Sequence, residues 1–230
     1  MRLLFVLLLL VLLNGCDLPR DPEGTLDRIR GGTMQVGVIA NPPWVIAENG
    51  KIGGVEPELL RELARGLGAE IRWVQGGQGE LLTALEHRQL DAVVGGFNES
   101  DPWSSKVAFT KPYYEVAIVV ALAPDLPNPE RLEDLAVAVE SGSAAAGYLR
   151  AQDAQPQPVA DIETADSPVA LPEWQRRSLG YRTLWEIHRA RQVIALPPGE
   201  NAWVVHVERF LNDRRAQVDR LLGADEKVRP

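Results

Sequence analysis

Leu90-Asp91-Ala92-Val93-Val94-Gly95-Gly96-Phe97 opens on a charge, runs through short apolar residues and ends on paired glycines and an aromatic. A brief, continuous apolar run of this kind predicts a strand covered on both faces, because alternation disappears when neither face meets water. Asn98-Glu99-Ser100-Asp101-Pro102-Trp103-Ser104-Ser105-Lys106 follows, polar except for one proline and one tryptophan. Ligands of open α/β sheets bind at the loops beyond the carboxyl ends of the strands. Phe97, Asn98, Glu99 and Trp103 are therefore candidate ligand-binding residues at the lip of a site. Residues 107–114 lead into a second strand-like run, Val116-Ala117-Ile118-Val119-Val120-Ala121. That run predicts a crossing out of the first lobe into a second.

Upstream, residues 34–40 read as a first strand, and Asn41-Pro42-Pro43-Trp44 as a stiff turn presenting an aromatic. Trp44 either covers the core beside that turn or lines a cleft. Asn49-Gly50 is a strong hairpin signal. A helix starts at Glu56-Pro57-Glu58, with acids where the helix dipole favours them. Leu59, Leu60, Leu63 and Leu67 continue it at helical spacing. Residues 70–74 predict another strand and residues 80–87 another helix. Strand-helix-strand-helix-strand gives a parallel α/β sheet.

Downstream, residues 136–139 predict a strand. Glu140-Ser141-Gly142-Ser143 then forms a strand-to-helix turn whose hydroxyls could cap the helix or meet a ligand. Asp166 lies in a loop and reads either as a ligand residue or as a solvated surface acid. Trp174, Leu179, Tyr181, Leu184 and Trp185 suggest helical covering of the second lobe. Gln192-Val193-Ile194-Ala195-Leu196 reads as the return crossing, and residues 200–211 and 213–222 as two closing helices.

The 230 residues carry a net charge of -8, which argues against nucleic acid as a partner. Met1-Arg2 followed by the apolar run 3–13 predicts a signal peptide over residues 1–15, too short for a membrane-spanning helix. Leu13-Asn14-Gly15-Cys16 is similar to a bacterial lipoprotein box, which implies lipidation of Cys16. Cys16 is the single cysteine, so no internal disulfide competes for it. Residues 16–32, rich in proline and glycine, read as a tether to that lipid. No sequence pattern predicts a cofactor or a metal: His87, His188 and His206 are scattered without ligand spacing, and nucleophile-elbow and dinucleotide motifs are absent.

Phe109-Thr110-Lys111-Pro112-Tyr113-Tyr114, the Pro-Pro-aromatic turn and the Glu48-Asn49-Gly50-Lys51 segment together resemble the amino-acid-type (family 3) extracellular solute-binding proteins of ABC importers. The resemblance implies an α/β, two-lobed periplasmic-binding-protein-like fold with two crossing strands and a shortened second lobe. Lobe 1 would comprise residues 33–115, lobe 2 residues 116–191, and residues 192–230 would return to lobe 1. It also implies a monomer on the periplasmic or extracellular face, held by its N-terminal lipid. There it would pass a small polar or zwitterionic solute to an ABC permease in the inner membrane. Trp44, Phe97, Asn98, Glu99 and Trp103 would line the cleft from the first lobe, Ser143 and Asp166 from the second. The family carries an arginine for the ligand carboxylate six residues before Phe109, where this chain has Trp103. An indole cannot fork onto a carboxylate as a guanidinium does, so the family's usual grip on an α-amino-acid carboxylate is not expected at this position. Tryptophans and a carboxylate would suit a cationic or aromatic-bearing solute. A sensor or accessory lipoprotein on the same fold is the alternative, and a dehydratase-like enzyme with Glu99 as general acid a more remote one.

Overall fold

The computed structural model describes residues 21–141 and 143–225, with side chains to 223. The leader segment and Cys16 lie outside the described residues. In chain order the elements are α1 (Thr25–Ile29), β1 (Thr33–Val38), β2 (Ile46–Glu48), β3 (Lys51–Gly53), α2 (Val55–Leu67), β4 (Glu70–Gln75) and α3 (Gln78–Glu86). Next come β5 (Ala92–Asn98), β6 (Ala108–Phe109), β7 (Tyr114–Leu122), β8 (Ala136–Glu140), α4 (Ala145–Arg150), β9 (Gln155–Val159) and β10 (Val169–Pro172). The chain closes with α5 (Glu173–Ser178), β11 (Arg182–Leu196), α6 (Asn201–Leu211) and α7 (Arg215–Asp225).

The main sheet runs β4-β1-β5-β11-β7-β10-β8-β9, with β6 beside β11. Its first three strands are parallel, as the alternating strand-helix pattern predicts. Ala92 and Val94 pack on one face, against α2 and α6, and Val93 and Phe97 pack on the other, against Leu81, Leu82 and Leu85 of α3. Burial of both faces is the reason residues 92–97 show no polar alternation. Asn49 and Gly50, at φ 50° and 73°, form the two-residue turn that sets Glu48 opposite Lys51 in the β2–β3 hairpin.

The second lobe is built around β10, β8 and β9, with Val137, Val139 and Leu149 on one face and Ala138, Ile162 and Leu171 on the other. β9 is an edge strand in spite of Pro156 and Pro158. Gln155 donates its N–H to Leu135 of the neighbouring segment. The two prolines share the opposite parity, so the donors they lack would have pointed to the open edge.

Between the lobes, β7 and β11 run antiparallel from Tyr114 opposite Gln192 to Leu122 opposite Arg182. Two expectations are corrected here. β11 begins at Arg182, so the stretch containing Leu184 and Trp185 is the long return strand rather than helical covering. Nor is the whole of 16–32 a tether. Residues 25–29 form α1, Ile29 is fully buried, and the N–H groups of Glu23 and Thr25 both donate to the Glu200 carboxylate at 3.3 Å. Arg28 of the same helix pairs with the buried Asp91 at the foot of β5. Among the described residues no helix is long and apolar enough to cross a membrane.

Candidate functional site

The carboxyl end of β5 and the two crossing strands frame a cavity of about 570 Å³. Its lobe 1 wall is Asn41 to Trp44 with Gly96 and Asn98, and its floor is Val116, Ile118, Ala190 and Gln192 of the crossing strands. Lobe 2 supplies Glu140, Ser141, Ser143 and Tyr148 from the β8–α4 corner, and Trp174 and Gln175 from α5. A volume of this order suits a small organic molecule.

The lobe 1 wall is held by a buried carboxylate. Glu56, in the first turn of α2 and fully buried, accepts the N–H groups of Gly95 (2.9 Å) and Gly96 (3.0 Å) and the Tyr113 hydroxyl (2.8 Å). Burial pushes its carboxyl up to about 7, against the pull of those donors. Burial first and the Glu56 charge second raise the Tyr113 phenol well above its ordinary value. The carbonyls of Pro43 and Trp44 in turn accept the first N–H groups of α2. Trp44 is thereby fixed with its ring against Tyr113 and Tyr114, at centroid distances of 6.4 and 6.1 Å. It is both core and cavity wall, so the two readings of this residue are compatible.

Of the residues expected to line the cleft, Trp44, Asn98 and Ser143 do so together. Four others stand elsewhere. Phe97 points to the opposite face of β5, 4% exposed, and packs on Phe109 at 5.9 Å between ring centroids. The two-residue period of a strand allows Gly96 and Asn98 into the cavity only by turning Phe97 away. Glu99 is exposed and ion-paired with Arg191. Trp103 lies on a turn of 3-10 helix, packed against the Phe97 side of the sheet with the Lys106 ammonium 5.6 Å from its ring centroid. Asp166 is exposed in its loop and is not part of the cavity wall.

Ser143 lines the cavity but also caps its own helix, its Oγ accepting the Ala145 N–H at 3.2 Å. Gln192, 4% exposed, stands 3.3 Å from Asn98 Oδ1 in one orientation of its amide. In the other orientation its nitrogen donates to the carbonyls of Phe97 (3.3 Å) and Gly96 (3.2 Å). Either way it ties the return strand to the lip of β5. Tyr148 stacks on His188 at 3.7 Å, and burial first, then the Asp101 carboxylate, raises its phenol above the ordinary value. Gln175, 9% exposed, brings a side-chain amide to the lobe 2 wall.

Glu140, Tyr148, Trp174 and Gln175 also line the cavity, and the sequence marks none of them as a site residue. Glu140 ends strand β8, so the carboxyl-end rule that singled out Asn98 applied to it equally. Trp174 and Gln175 sit on a helix of six residues, whose inward face no periodicity that short can reveal.

Comparison with known proteins agrees with this architecture. The family model of the bacterial extracellular solute-binding proteins, family 3, matches residues 34–221. A probable histidine-binding protein of Campylobacter jejuni is 32% identical over 36% of this chain and 32% of its own length. ABC transporter arginine-binding protein 1 of Escherichia coli is 30% identical over 50% of this chain and 48% of its own length. The chain thus spans from a third to a half of these curated relatives. Among solved structures, an ancestral cationic amino acid solute-binding protein superposes with a TM-score of 0.72 at 18% identity, covering 87% of this chain and 99% of that one. The L-cystine solute receptor of Neisseria gonorrhoeae, in its unliganded open conformation, gives a TM-score of 0.68 at 18% identity, covering 87% and 95%. The fold is that of the two-lobed periplasmic amino acid-binding proteins, and the chain belongs to the bacterial extracellular solute-binding proteins, family 3.

Proposed function

We propose that this chain captures a small polar solute between its two lobes and delivers it to an ABC importer, tethered outside the inner membrane through lipid on Cys16. One observation carries the reading: a single cavity takes walls from both lobes and its floor from the strands that join them. A solute touching both walls favours their approach, and the paired crossing strands are where a hinge would flex. The names of the histidine- and arginine-binding relatives support a solute of amino-acid size. Another relative, the membrane-bound lytic murein transglycosylase F of Vibrio cholerae, is matched over only 22% of its length.

The test is thermal denaturation of the lipid-free protein against amino acids, amines, sugars and aromatic solutes. A solute present at a hundred times its Kd should stabilise the fold by about 2.7 kcal/mol, raising the melting temperature by roughly 5–10 °C for a chain of this size. A melting temperature unmoved by the whole panel would overturn solute capture and leave an accessory lipoprotein that keeps only the fold. Conversion of the bound solute in the same samples would reveal an enzyme instead.

A further inference from the structure

We infer that the solute held in this cavity is an organic cation without a carboxylate, an amine or guanidine; the inference rests on the solute-capture reading above. The charge of the cavity wall is one-sided. Glu140 contributes a carboxylate, and none of the described wall residues is a lysine, an arginine or a histidine. Two arginines of the crossing strands are matched by acids at the surface, Arg191 by Glu99 and Glu115 and Arg189 by Glu115 and Glu186, and the third, Arg182, donates to the Leu126 carbonyl and is not part of the wall. His188 is stacked against the Tyr148 ring and is not part of the wall.

Most backbone donors of the described residues beside the cavity are already engaged. α4 is six residues long. The N–H groups of Ala145, Ala146 and Gly147 are used by Ser143 Oγ, Ser143 O and Ala144 O within the same turn. On the first lobe, Gly95 and Gly96 donate to the buried Glu56. A ligand carboxylate brought into this space would shed water without a positive partner and would share the space with Glu140.

A cation meets the opposite conditions. Trp44, Trp174 and the neutral phenol of Tyr148 present aromatic surface from both lobes. Ring faces attract ammonium and guanidinium groups more strongly as water is excluded. Glu140 supplies the counter-charge. Gln175, on the lobe 2 wall, offers its side-chain amide oxygen to an N–H donor.

Matched pairs of an amino acid and its decarboxylated amine isolate the carboxylate: arginine and agmatine, lysine and cadaverine, histidine and histamine. Calorimetric titration of the protein with each should show at least one amine binding about tenfold or more tighter than its parent. In Glu140→Gln, whose unliganded melting temperature should be unchanged because Glu140 is exposed, that amine should lose about tenfold or more in affinity. Parent amino acids binding as tightly as their amines would overturn the inference, as would binding confined to neutral or anionic solutes; in both cases solute capture itself would stand. Loss of no affinity in Glu140→Gln would also overturn it. A protein that binds none of the wider panel would sink both readings together.

Discussion

A Gly96→Ala variant should lose solute binding and about 2–5 kcal/mol of stability, the sum of a left-handed backbone imposed on alanine and of overpacking. Gly96 has φ 68°, where an L-side chain is strained. A methyl group there would also stand 2.6 Å from Trp44 Cδ1 and 2.7 Å from Asn41 Nδ2. Trp44 cannot retreat cheaply, and Asn41 can do so only by giving up a hydrogen bond. Trp44 is wedged against Tyr113 and Tyr114, and Asn41 Nδ2 donates to Gly95 O at 2.8 Å. The three residues displaced, Asn41, Trp44 and Gly96, all belong to the cavity wall. Gly95→Ala is the internal comparison. Its Cβ would meet only Ile39, 3.0 Å from Cβ and 3.4 Å from Cδ1, and no strained φ, so it should cost less and keep more binding. Urea unfolding and titration of both variants check the order; equal stability of Gly96→Ala and wild type would show that the wall is soft.

The second large effect is a pH dependence centred on Glu56. The folded chain keeps the proton on this carboxyl up to about 7, whereas 4.5 is its ordinary value. Between those pH values the folded state therefore holds more protons than the unfolded one, and stability falls as pH rises. Below 4.5 both states are protonated and the penalty is absent; above about 7 it is complete. At 1.36 kcal/mol per pH unit the interval corresponds to about 3 kcal/mol. Glu56→Gln keeps the shape and an acceptor for Gly95 and Gly96 without the charge, so it should flatten this slope and exceed the wild type in stability above pH 7. Glu56→Ala should be about 3 kcal/mol less stable than wild type at pH 5, because it strands two backbone donors and a hydroxyl in the core. Chemical unfolding of the three proteins between pH 4.5 and 8 decides it. A wild-type stability that rises over that range relative to Glu56→Gln would contradict the buried position of the carboxyl.

The fold was legible where local pattern and long-range packing demand the same thing. Residues 92–97 had to be apolar on both faces, Asn49-Gly50 had to turn, and Leu59, Leu60 and Leu63 had to share a helix face. It was illegible where one outweighs the other. The first half of β11 carries Arg182, Glu186 and Arg189 on a crossing that is only partly covered, so neither a clean alternation nor a buried run marks it as a strand. α1 is five residues long and flanked by glycines. Its anchor is Glu200, 175 positions from Thr25, and no local signal announces such a contact.

The site divided along the same line. Asn98, Trp44 and Ser143 stand at strand ends and turns, where position in the fold implies position in the cleft. Phe97, Glu99 and Trp103 are their chain neighbours, and one step along a strand or loop sends a side chain to another face. A continuous apolar run leaves that parity open. The composition expected of the cleft, aromatic rings with one carboxylate, is present, but Trp174 and Glu140 supply what Trp103 and Glu99 were expected to supply.

The most direct test of a solute clasped by both halves is calorimetric titration of the solute giving the largest thermal shift against wild type, Asn98→Ala and Gln175→Ala. Both single variants should weaken binding by about tenfold or more, since each removes a polar contact from a different lobe. Undiminished affinity in either variant would place the solute against one lobe alone, and the cleft would not be the binding site described here.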